Sequence, residues 1–183
     1  MIANKKDLHR YLEQDMATYH ALPCRERYLL RLIRDPFYEI WRYLVFLRRE
    51  EYYYNTAKTK MGKLLYLYYL SRKNRLGNKL GFKIPHNCFG AGLTIYHHGE
   101  IIVNESARIG ERCVLHGGNC IGNNGRNDGV PVIGDDLNLG IGAKVIGAVT
   151  LGNGVRVGAN AVVSNSFEDG HVVLVGIPAR RKG

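Results

Sequence analysis

The sequence predicts an α+β protein. A helical region over residues 1–84 is followed, over residues 85–183, by a parallel β-helix of hexapeptide repeats with one projecting loop. Apolar residues recur at every sixth position through the second half, a period that neither an α-helix nor a flat strand produces. Composition changes at the same place, since eleven of the twelve tyrosines precede residue 85 and nineteen of the twenty-two glycines follow it.

Three helical stretches are predicted before residue 85. The first carries apolar residues at helical spacing between Leu8 and Tyr19. The second runs from Arg25 to about residue 51, with a new start where Asp35 caps the helix and Pro36 occupies its first turn. The third covers about residues 58–78 and has the apolar centre LLYLYYL, with basic residues on both sides.

The formal charge of +10 comes from this helical region. Residues 1–84 contain 18 Lys and Arg against 8 Asp and Glu, whereas the remaining residues contain 8 of each. The favoured interpretation is that the tyrosines pack against a neighbouring helix or subunit and the basic residues form a solvated face. Peripheral docking of the third helix on an anionic membrane is the alternative. Nucleic acid is not expected as a partner, because no recognised binding motif accompanies the charge.

Cysteine usage and hydropathy indicate the compartment. The four cysteines form no CxxC pair, and no amino-terminal apolar stretch resembles a secretory signal. No apolar run reaches the length that a membrane-spanning helix needs. We therefore expect a cytoplasmic protein, with contact at the inner membrane surface left open.

The six-residue period keeps one register over more than sixty residues. Its apolar positions are Val103, Ile109, Leu115, Ile121, Ile133, Leu139, Val145, Leu151, Val157 and Val163, interrupted at Asn127. Glycine follows six of them, and the fifth position of a hexapeptide is small at Ala107, Cys113, Ala143 and Ala161. Three hexapeptides complete one coil, so residues eighteen apart are expected to stack and bury their apolar side chains.

The interruption in the register is the segment Asn123–Gly129, which is dense in turn-forming residues and carries no apolar side chain. It is expected to project as a loop. Loops held by a rigid scaffold often line binding sites, although a surface excursion without function is the other possibility.

The segment from Ile84 to Gly183 resembles the hexapeptide-repeat acyltransferases. The resemblance rests on IPHNCFGAGLTIYHHGEIIVNESARIGERC before the loop, on VIGDDLNLGIGAKVIGAVTLGNGVRVGANAVV after it, and on the ending VGIPARR. Within that superfamily the chain is most similar to the serine acetyltransferase branch and its capsule-type sugar O-acetyltransferase relatives. This resemblance implies a left-handed β-helix, a homotrimer, and acetyl-CoA bound between neighbouring subunits.

The resemblance also suggests the catalytic base. Serine acetyltransferases place it three residues before a segment that corresponds here to residues 100–104, which makes His97 the matching position. A histidine suits this role because its charge changes near neutral pH. His97 also falls in the inward phase of the repeat, so a buried, hydrogen-bonded core histidine is the alternative interpretation. His98, which is adjacent, is the competing candidate for the base. His116, just over one coil later, is expected at the same edge as a second catalytic residue that positions the acceptor.

Acetyl-CoA is the expected acetyl donor, and no metal is required. The positions that match the family's coenzyme A contacts are Gly142, Ala143, Asn160, Ala161, Pro178, Ala179, Arg180 and Lys182. Small residues would let the pantetheine arm lie against the coils, and the basic ones would meet its phosphates. For each alanine taken alone, repeat packing is an equally good explanation.

The acceptor is expected to be a sugar or polysaccharide precursor. The chain has Phe82 and Tyr96 where serine acetyltransferases have aspartates, and residues 128–131 lack the Arg-His pair that engages serine. A carboxylate without a charged partner is costly to bury, which favours a neutral hydroxyl. The acceptor-binding residues are predicted to be Tyr96, His98, Asn124 and Asp128. Serine O-acetylation and a noncatalytic β-helical scaffold are the alternatives.

Overall fold

The structure, a computed structural model, describes residues 1–19, 29–33 and 35–183. Three helices precede the strands: α1 (Lys5–Met16), α2 (Pro36–Thr56) and α3 (Lys60–Leu80). A 3-10 turn over Ala17–Tyr19 continues α1, and residues 29–32 are helical. The start that we predicted at Arg25 lies outside the described residues.

Side chains at the start of each helix accept its first free amide hydrogens. These capping pairs are Asn4 with Asp7, Asp35 with Tyr38, and Thr59 with Gly62. Pro36 occupies the first turn of α2, as predicted. The helix α3 ends at Gly81, whose φ of 82° is a left-handed conformation that glycine adopts without strain.

The strands stack into three ladders. Ladder 1 contains β1 (Phe82–Lys83), β3 (Ile101–Val103), β6 (Cys120–Gly122), β9 (Lys144–Ile146) and β12 (Val162–Val163). Ladder 2 contains β4 (Arg108–Ile109), β7 (Val132–Ile133) and β10 (Thr150–Leu151). Ladder 3 contains β2 (Thr94–Ile95), β5 (Val114–Leu115), β8 (Asn138–Leu139), β11 (Arg156–Val157), β13 (Val173–Val175) and β14 (Arg180–Arg181). Neighbouring strands are parallel except β13 and β14, so the chain forms a parallel β-helix.

The predicted repeat positions form the core of this β-helix. All ten predicted apolar positions are at most 5% exposed. Ile133 pairs with Leu151, eighteen residues later, but Ile109 pairs with Ile133, twenty-four residues later. The loop therefore adds six residues without adding a strand. Because six is the repeat length, the sequence period passes through the loop unchanged.

The turns between ladders form edges along the β-helix. The histidine edge joins ladder 3 to ladder 1 and contains residues 96–100, 116–119, 140–143 and 158–161. The turn 176–179 between β13 and β14 stacks at the end of this edge, where it pairs with Val162. The loop edge joins ladder 1 to ladder 2 and contains residues 104–107, 123–131, 147–149 and 164–166. Residues 123–128 are exposed on the loop edge, where Gly129 packs closely against Ala148.

The helices cover the first coil, which has no preceding coil to pair with. The buried Tyr19 hydroxyl donates to the Ile95 carbonyl (2.7 Å) and accepts from the Ile95 amide (3.2 Å). At the end of α3, the Leu80 carbonyl accepts from the Gly99 amide, and the Gly81 carbonyl accepts from the Ile101 amide, both at 2.9 Å. The exposed edge of a sheet is thus paired with helical residues.

A buried arginine attaches α2 to the same coil. Arg48 is fully buried, and its Nε donates to Asp15 (2.7 Å) while its Nη1 donates to Glu51 (3.0 Å). The guanidinium also donates to the carbonyls of Phe89 (3.1 Å) and Gly90 (2.6 Å). Five donors in a planar group allow one side chain to join two helices and the β-helix.

The carboxylates that pair with Arg48 also accept hydrogen bonds from backbone amides. Asp15 accepts from the amides of Gly92 (2.7 Å) and Leu93 (2.9 Å), and Glu51 accepts from the amide of Asn87 (2.8 Å). Burial raises the pKa of Glu51, and the neighbouring Arg48 acts in the opposite direction. Within the described residues, every buried polar side-chain atom has a hydrogen-bond partner.

Replacing Arg48 with methionine is expected to lower the free energy of unfolding by about 3–5 kcal/mol, because two carboxylates lose their buried cation. Urea denaturation followed by circular dichroism measures the change. The matched control is Arg10→Met, which removes another arginine that bridges helix and coil but pairs with Glu111 on the surface. Such exposed pairs contribute up to about 1 kcal/mol. Equal losses in the two variants would contradict a special role for Arg48.

Candidate functional site

The first turn of the histidine edge is longer than the turns that stack on it. Ile95 pairs with Leu115 and Ile102 pairs with Cys120. Six residues, 96–101, therefore lie between Ile95 and Ile102. Only four residues, 116–119, lie between their partners Leu115 and Cys120 in the next coil. The two extra residues make this turn project.

His97 and His98 lie in this projecting turn, and both are exposed. The alternative that His97 is a buried core residue is therefore wrong. Ile95 and Ile101 are the fully buried residues on either side. This turn contains two more residues than the repeat requires. A six-residue period extended backward from the later coils therefore assigns His97 to the wrong side.

His116 lies one coil along from this turn. The rings of Tyr96 and His116 are tilted against each other with centroids 5.0 Å apart, and the Tyr96 amide donates to the Leu115 carbonyl (3.0 Å). Gly117 faces His97, so that a β-carbon at position 117 would lie 3.5 Å from the His97 β-carbon. The structure thus places Tyr96, His97, His98 and His116 at one open edge.

No carboxylate orients these histidines within the described residues, where the rings of His97 and His98 form no hydrogen bond. The two acids nearest to His97 along the chain are Glu100, which is exposed at the end of the same turn, and Glu105, which lies on the loop edge. Phe82 is buried, with its ring 5.2 Å from that of Tyr43. Its side chain is therefore part of the aromatic core.

Asn119 is a supporting residue that the sequence reasoning missed. It is 1% exposed, and its Oδ1 accepts from the Gly117 amide (3.0 Å). Its Nδ2 donates to the carbonyls of Gly140 (2.9 Å) and Ala143 (3.2 Å). One amide side chain therefore holds the His116 turn onto the next turn. An asparagine following two glycines inside an apolar repeat was the available signal.

The predicted coenzyme A positions also lie along the histidine edge. The Gly142 amide donates to the Gly117 carbonyl (2.9 Å), and the Asn160 amide donates to the Ile141 carbonyl (2.8 Å), so successive turns stack directly. Gly142 has a φ of 72° and lies beneath the Asn160 side chain, where a β-carbon would clash. Glycine is required by both the conformation and the space.

The members of this set differ in accessibility. Ala143, Ala161 and Ala179 are buried, and their amides donate to Gly140, Gly158 and Val162. Gly142 is half-buried, whereas the exposed members are Asn160, Pro178, Arg180 and Lys182. Arg180 and Lys182 follow the last turn of the edge and form no ion pair with the described residues, whereas Arg181 pairs with Asp169. The accessible members are the ones available to a ligand.

The predicted acceptor residues Asn124 and Asp128 lie apart from the histidines. Both are on the loop edge, which ladder 1 separates from the histidine edge. Asn124 Oδ1 accepts from the amides of Arg126 (2.9 Å) and Asn127 (3.3 Å), so this side chain shapes the loop. Within one protomer, the structure does not bring the loop and the histidines together.

The described cysteines are not suited to act as nucleophiles. Burial raises the pKa of the Cys88 thiol to about 12, and it also raises the pKa values of Cys113 and Cys120. The thiolate is the reactive form of cysteine. Cys24 lies outside the described residues. The described part of the chain also contains no group of three His, Cys, Asp or Glu side chains arranged to hold a metal ion.

No protein-family model matches the chain. The serine acetyltransferase of Bacillus pumilus is 35% identical over 98 residues, which are 52% of this chain and 45% of that protein. The chain thus spans about half the length of this relative. The serine acetyltransferase of Brucella abortus in complex with coenzyme A has a TM-score of 0.69 at 22% identity, covering 98% of this chain and 69% of that one. Soybean serine acetyltransferase complexed with serine has a TM-score of 0.67 at 22% identity, covering 97% and 68%.

These similarities confirm the predicted fold, an α+β chain whose helical region precedes a left-handed parallel β-helix. They also confirm the resemblance to the serine acetyltransferase branch, whereas the closer likeness to capsule-type enzymes finds no support. The prediction of a sugar acceptor is wrong, since the relatives are serine acetyltransferases. That prediction relied on the absence of the Arg-His pair from residues 128–131, which does not exclude another cation as the partner of a serine carboxylate.

Replacing Asn119 with alanine is expected to lower the free energy of unfolding by about 1–3 kcal/mol, because the Gly117 amide loses its side-chain acceptor and the carbonyls of Gly140 and Ala143 each lose one hydrogen bond. Urea denaturation measures this loss. The control is Asn165→Ala, an exposed asparagine on the loop edge, for which surface substitution predicts a change within about 0.5 kcal/mol. Equal stability of the two variants would show that Asn119 does not hold the turns together.

Proposed function

We propose that this protein is an acetyl-CoA-dependent O-acetyltransferase whose acceptor is L-serine. The projecting turn that exposes His97 beside the His116 coil is the observation that carries the proposal. The similarity to serine acetyltransferases over the repeat region supports the acyltransferase activity and the choice of acceptor. Exposure of the imidazole supports a role as base, because a buried one could not reach an acceptor hydroxyl.

The stacked turns of the histidine edge fit a coenzyme A molecule. Glycines at positions 118, 140, 142 and 158 let successive turns of this edge stack closely between His116 and the carboxy-terminal segment, so that few bulky side chains cover it. Such a surface accommodates a narrow pantetheine arm, and Arg180 and Lys182 supply charge-assisted donors for phosphates. The relative solved with coenzyme A supports this cofactor. When bound, acetyl-CoA supplies an acetyl group activated as a thioester.

In this proposal His97 accepts the proton of the serine hydroxyl as the oxygen attacks the acetyl carbonyl. The sulfur–acetyl bond breaks, the new ester forms on serine, and His97 passes the proton to the departing thiolate, which leaves as the free thiol. Backbone N–H groups at the edge stabilise the negative charge on the carbonyl oxygen. His116, held against Tyr96, positions the acceptor. A direct attack agrees with the absence of a reactive thiol among the described cysteines.

A homotrimer would complete the site. The histidine edge and the loop edge lie on different corners of one protomer, so three-fold packing can place the loop of one copy against the histidines of the next. That loop carries Arg126, which is exposed and forms no ion pair with the described residues. We assign to it the binding of the serine carboxylate, in place of the missing Arg-His pair.

His97→Ala is expected to lower kcat by roughly a hundredfold or more, as loss of a general base does. Release of free thiol from acetyl-CoA in the presence of L-serine measures turnover. The control is His9→Ala, which removes an exposed histidine of α1 outside the site, and it is expected to retain most of the activity. Thiol release that is unchanged in His97→Ala would contradict the proposed base. Absence of coenzyme A binding in the wild type would favour a noncatalytic scaffold.

Arg126→Gln is expected to raise KM for L-serine by roughly tenfold to a hundredfold, the range for losing a hydrogen bond to a charged group. The value of kcat should change little, because the guanidinium contacts only the carboxylate. L-serinamide, which lacks the carboxylate, should be a poor acceptor for the wild type and insensitive to the substitution. Equal use of L-serine and serinamide would contradict carboxylate recognition, and a monomer in analytical ultracentrifugation would contradict the shared site.

A further inference from the structure

The helix α3 presents an apolar surface that no described residue covers. Met61, Leu64, Leu67 and Tyr68 are each more than half exposed. The opposite side of the helix packs against α2, where the ring of Tyr69 stacks on that of Tyr53 at 5.5 Å. The tyrosines of this helix are therefore divided between the packed and the exposed sides. Large apolar residues grouped in this way on a surface usually mark an interaction site.

Basic residues continue the same surface towards the end of α3. Arg72, Arg75 and Lys79 follow Tyr68 at steps of three or four residues, which keeps them on one side of the helix. We call Met61, Leu64, Leu67, Tyr68, Arg72, Arg75 and Lys79 the α3 face. It is apolar in its first half and basic in its second half.

The charge on α3 is of one sign. The helix contains six basic residues and no acidic residue, and Lys60 and Lys63 lie in its first turn. Cations there oppose the helix dipole, so helix stability does not explain them. Lys73 pairs with Glu50 and Lys79 with Glu39, whereas the other four cations form no ion pair within the described part of the chain.

A cleft of about 380 Å³ lies between α2 and the basic half of the α3 face. Arg42 and Arg72 both lie over the ring of Phe46, at 5.7 and 5.5 Å from its centroid. Arg75 and Lys79 also line the cleft, and its single acid, Glu39, is bound to Lys79 at 2.6 Å. Three arginines thus converge on a space with no free carboxylate, which suits a phosphate group.

We propose that the α3 face docks on an anionic phospholipid bilayer. The apolar half would insert its leucines and Tyr68 at the boundary between headgroups and acyl chains. The basic half and its cleft would bind headgroup phosphates. This is the arrangement of an interfacial helix that lies in the plane of a membrane. No helix in the described ranges is long and apolar enough to cross a membrane.

Charge favours a bilayer over the other occupants. In a two-fold contact with a second copy, the α3 face of one chain would lie against the α3 face of the other. The basic residues of the two helices would then repel each other, because α3 contains no acidic residue to pair with them. Nucleic acid would satisfy the basic half but would leave four large apolar side chains exposed. An anionic bilayer offers both an apolar layer and negative charge.

Flotation of the full chain with vesicles tests the proposal. Vesicles of phosphatidylcholine mixed with phosphatidylglycerol are expected to bind the protein, and vesicles of phosphatidylcholine alone are expected to bind it weakly. Added salt should weaken the binding, because exposed charges are screened. Equal binding to both vesicle types, or none to the anionic ones at low salt, would overturn the proposal.

Paired variants locate the contact. Arg72→Gln with Arg75→Gln should weaken binding to the anionic vesicles about twenty- to thirtyfold, the effect of removing two surface cations. Leu64→Ser with Leu67→Ser should weaken it by about tenfold or more. The matched control, Lys83→Gln with Arg156→Gln, removes the same charge from the β-helix and should change binding little. A control as damaging as the α3 variants would show nonspecific attraction and overturn the assignment.

Two further readouts separate the other occupants. Ultracentrifugation without vesicles tests whether the α3 face binds a second copy of this chain. If the wild type forms an assembly that the Leu64→Ser, Leu67→Ser variant does not form, the proposal is overturned. Tighter binding to a DNA duplex than to anionic vesicles would overturn it too. Acetyl transfer to serine should be preserved in all these variants, so the outcome is independent of the proposed activity.

Discussion

The first coil of a stacked β-helix has backbone groups that no preceding coil can pair, and the rest of this structure depends on how the helices satisfy them. The Tyr19 hydroxyl pairs with both backbone groups of Ile95, and the Leu80 carbonyl at the end of α3 accepts from the Gly99 amide. Arg48 and Asp15 pair with the backbone just before β2. An unpaired buried amide or carbonyl costs as much as a lost hydrogen bond. The helical region is therefore part of the β-helix in energetic terms, and one core cluster includes residues of both.

This attachment also positions the candidate site. The projecting turn 96–100 begins after β2, which Tyr19 holds, and ends before β3, which α3 holds through Gly81. Both ends of the turn are fixed while its middle, with His97 and His98, is exposed. One coil later, Asn119 fixes the turn that carries His116 by hydrogen bonding to Gly117 and Gly140. Rigid flanks with a free centre suit a residue that has to meet an acceptor without reorganisation. The same helix α3 that fixes the turn also presents the proposed membrane face.

The repeat could be predicted because its cause is local. The side chains of Val145 and Val157 are buried by the coils that stack directly on theirs, so the apolar period appears directly in the sequence. The six extra residues of the loop preserved that period, and the interruption at Asn127 was sufficient to locate it. The two extra residues at His97 and His98 were different, because they lie at the first coil, where no earlier repeat exists to reveal a shift in phase. Counting in sixes therefore placed His97 inside, although pairing of Ile95 with Leu115 places it outside.

The sequence by itself determined the change from helices to coils near residue 85, the apolar positions of the core, and the histidines and small residues worth testing. Tertiary structure decided which of these share an edge. His97 and His116 meet because a coil returns to the same corner, whereas Asn124 and Asp128 are separated from them by the width of ladder 1. It also decided the partners of Arg48, which include two distant segments of chain, Asp15 and the carbonyls of Phe89 and Gly90. Spacing along a chain fixes local periodicity, but proximity between distant residues follows only from how the coils and helices stack.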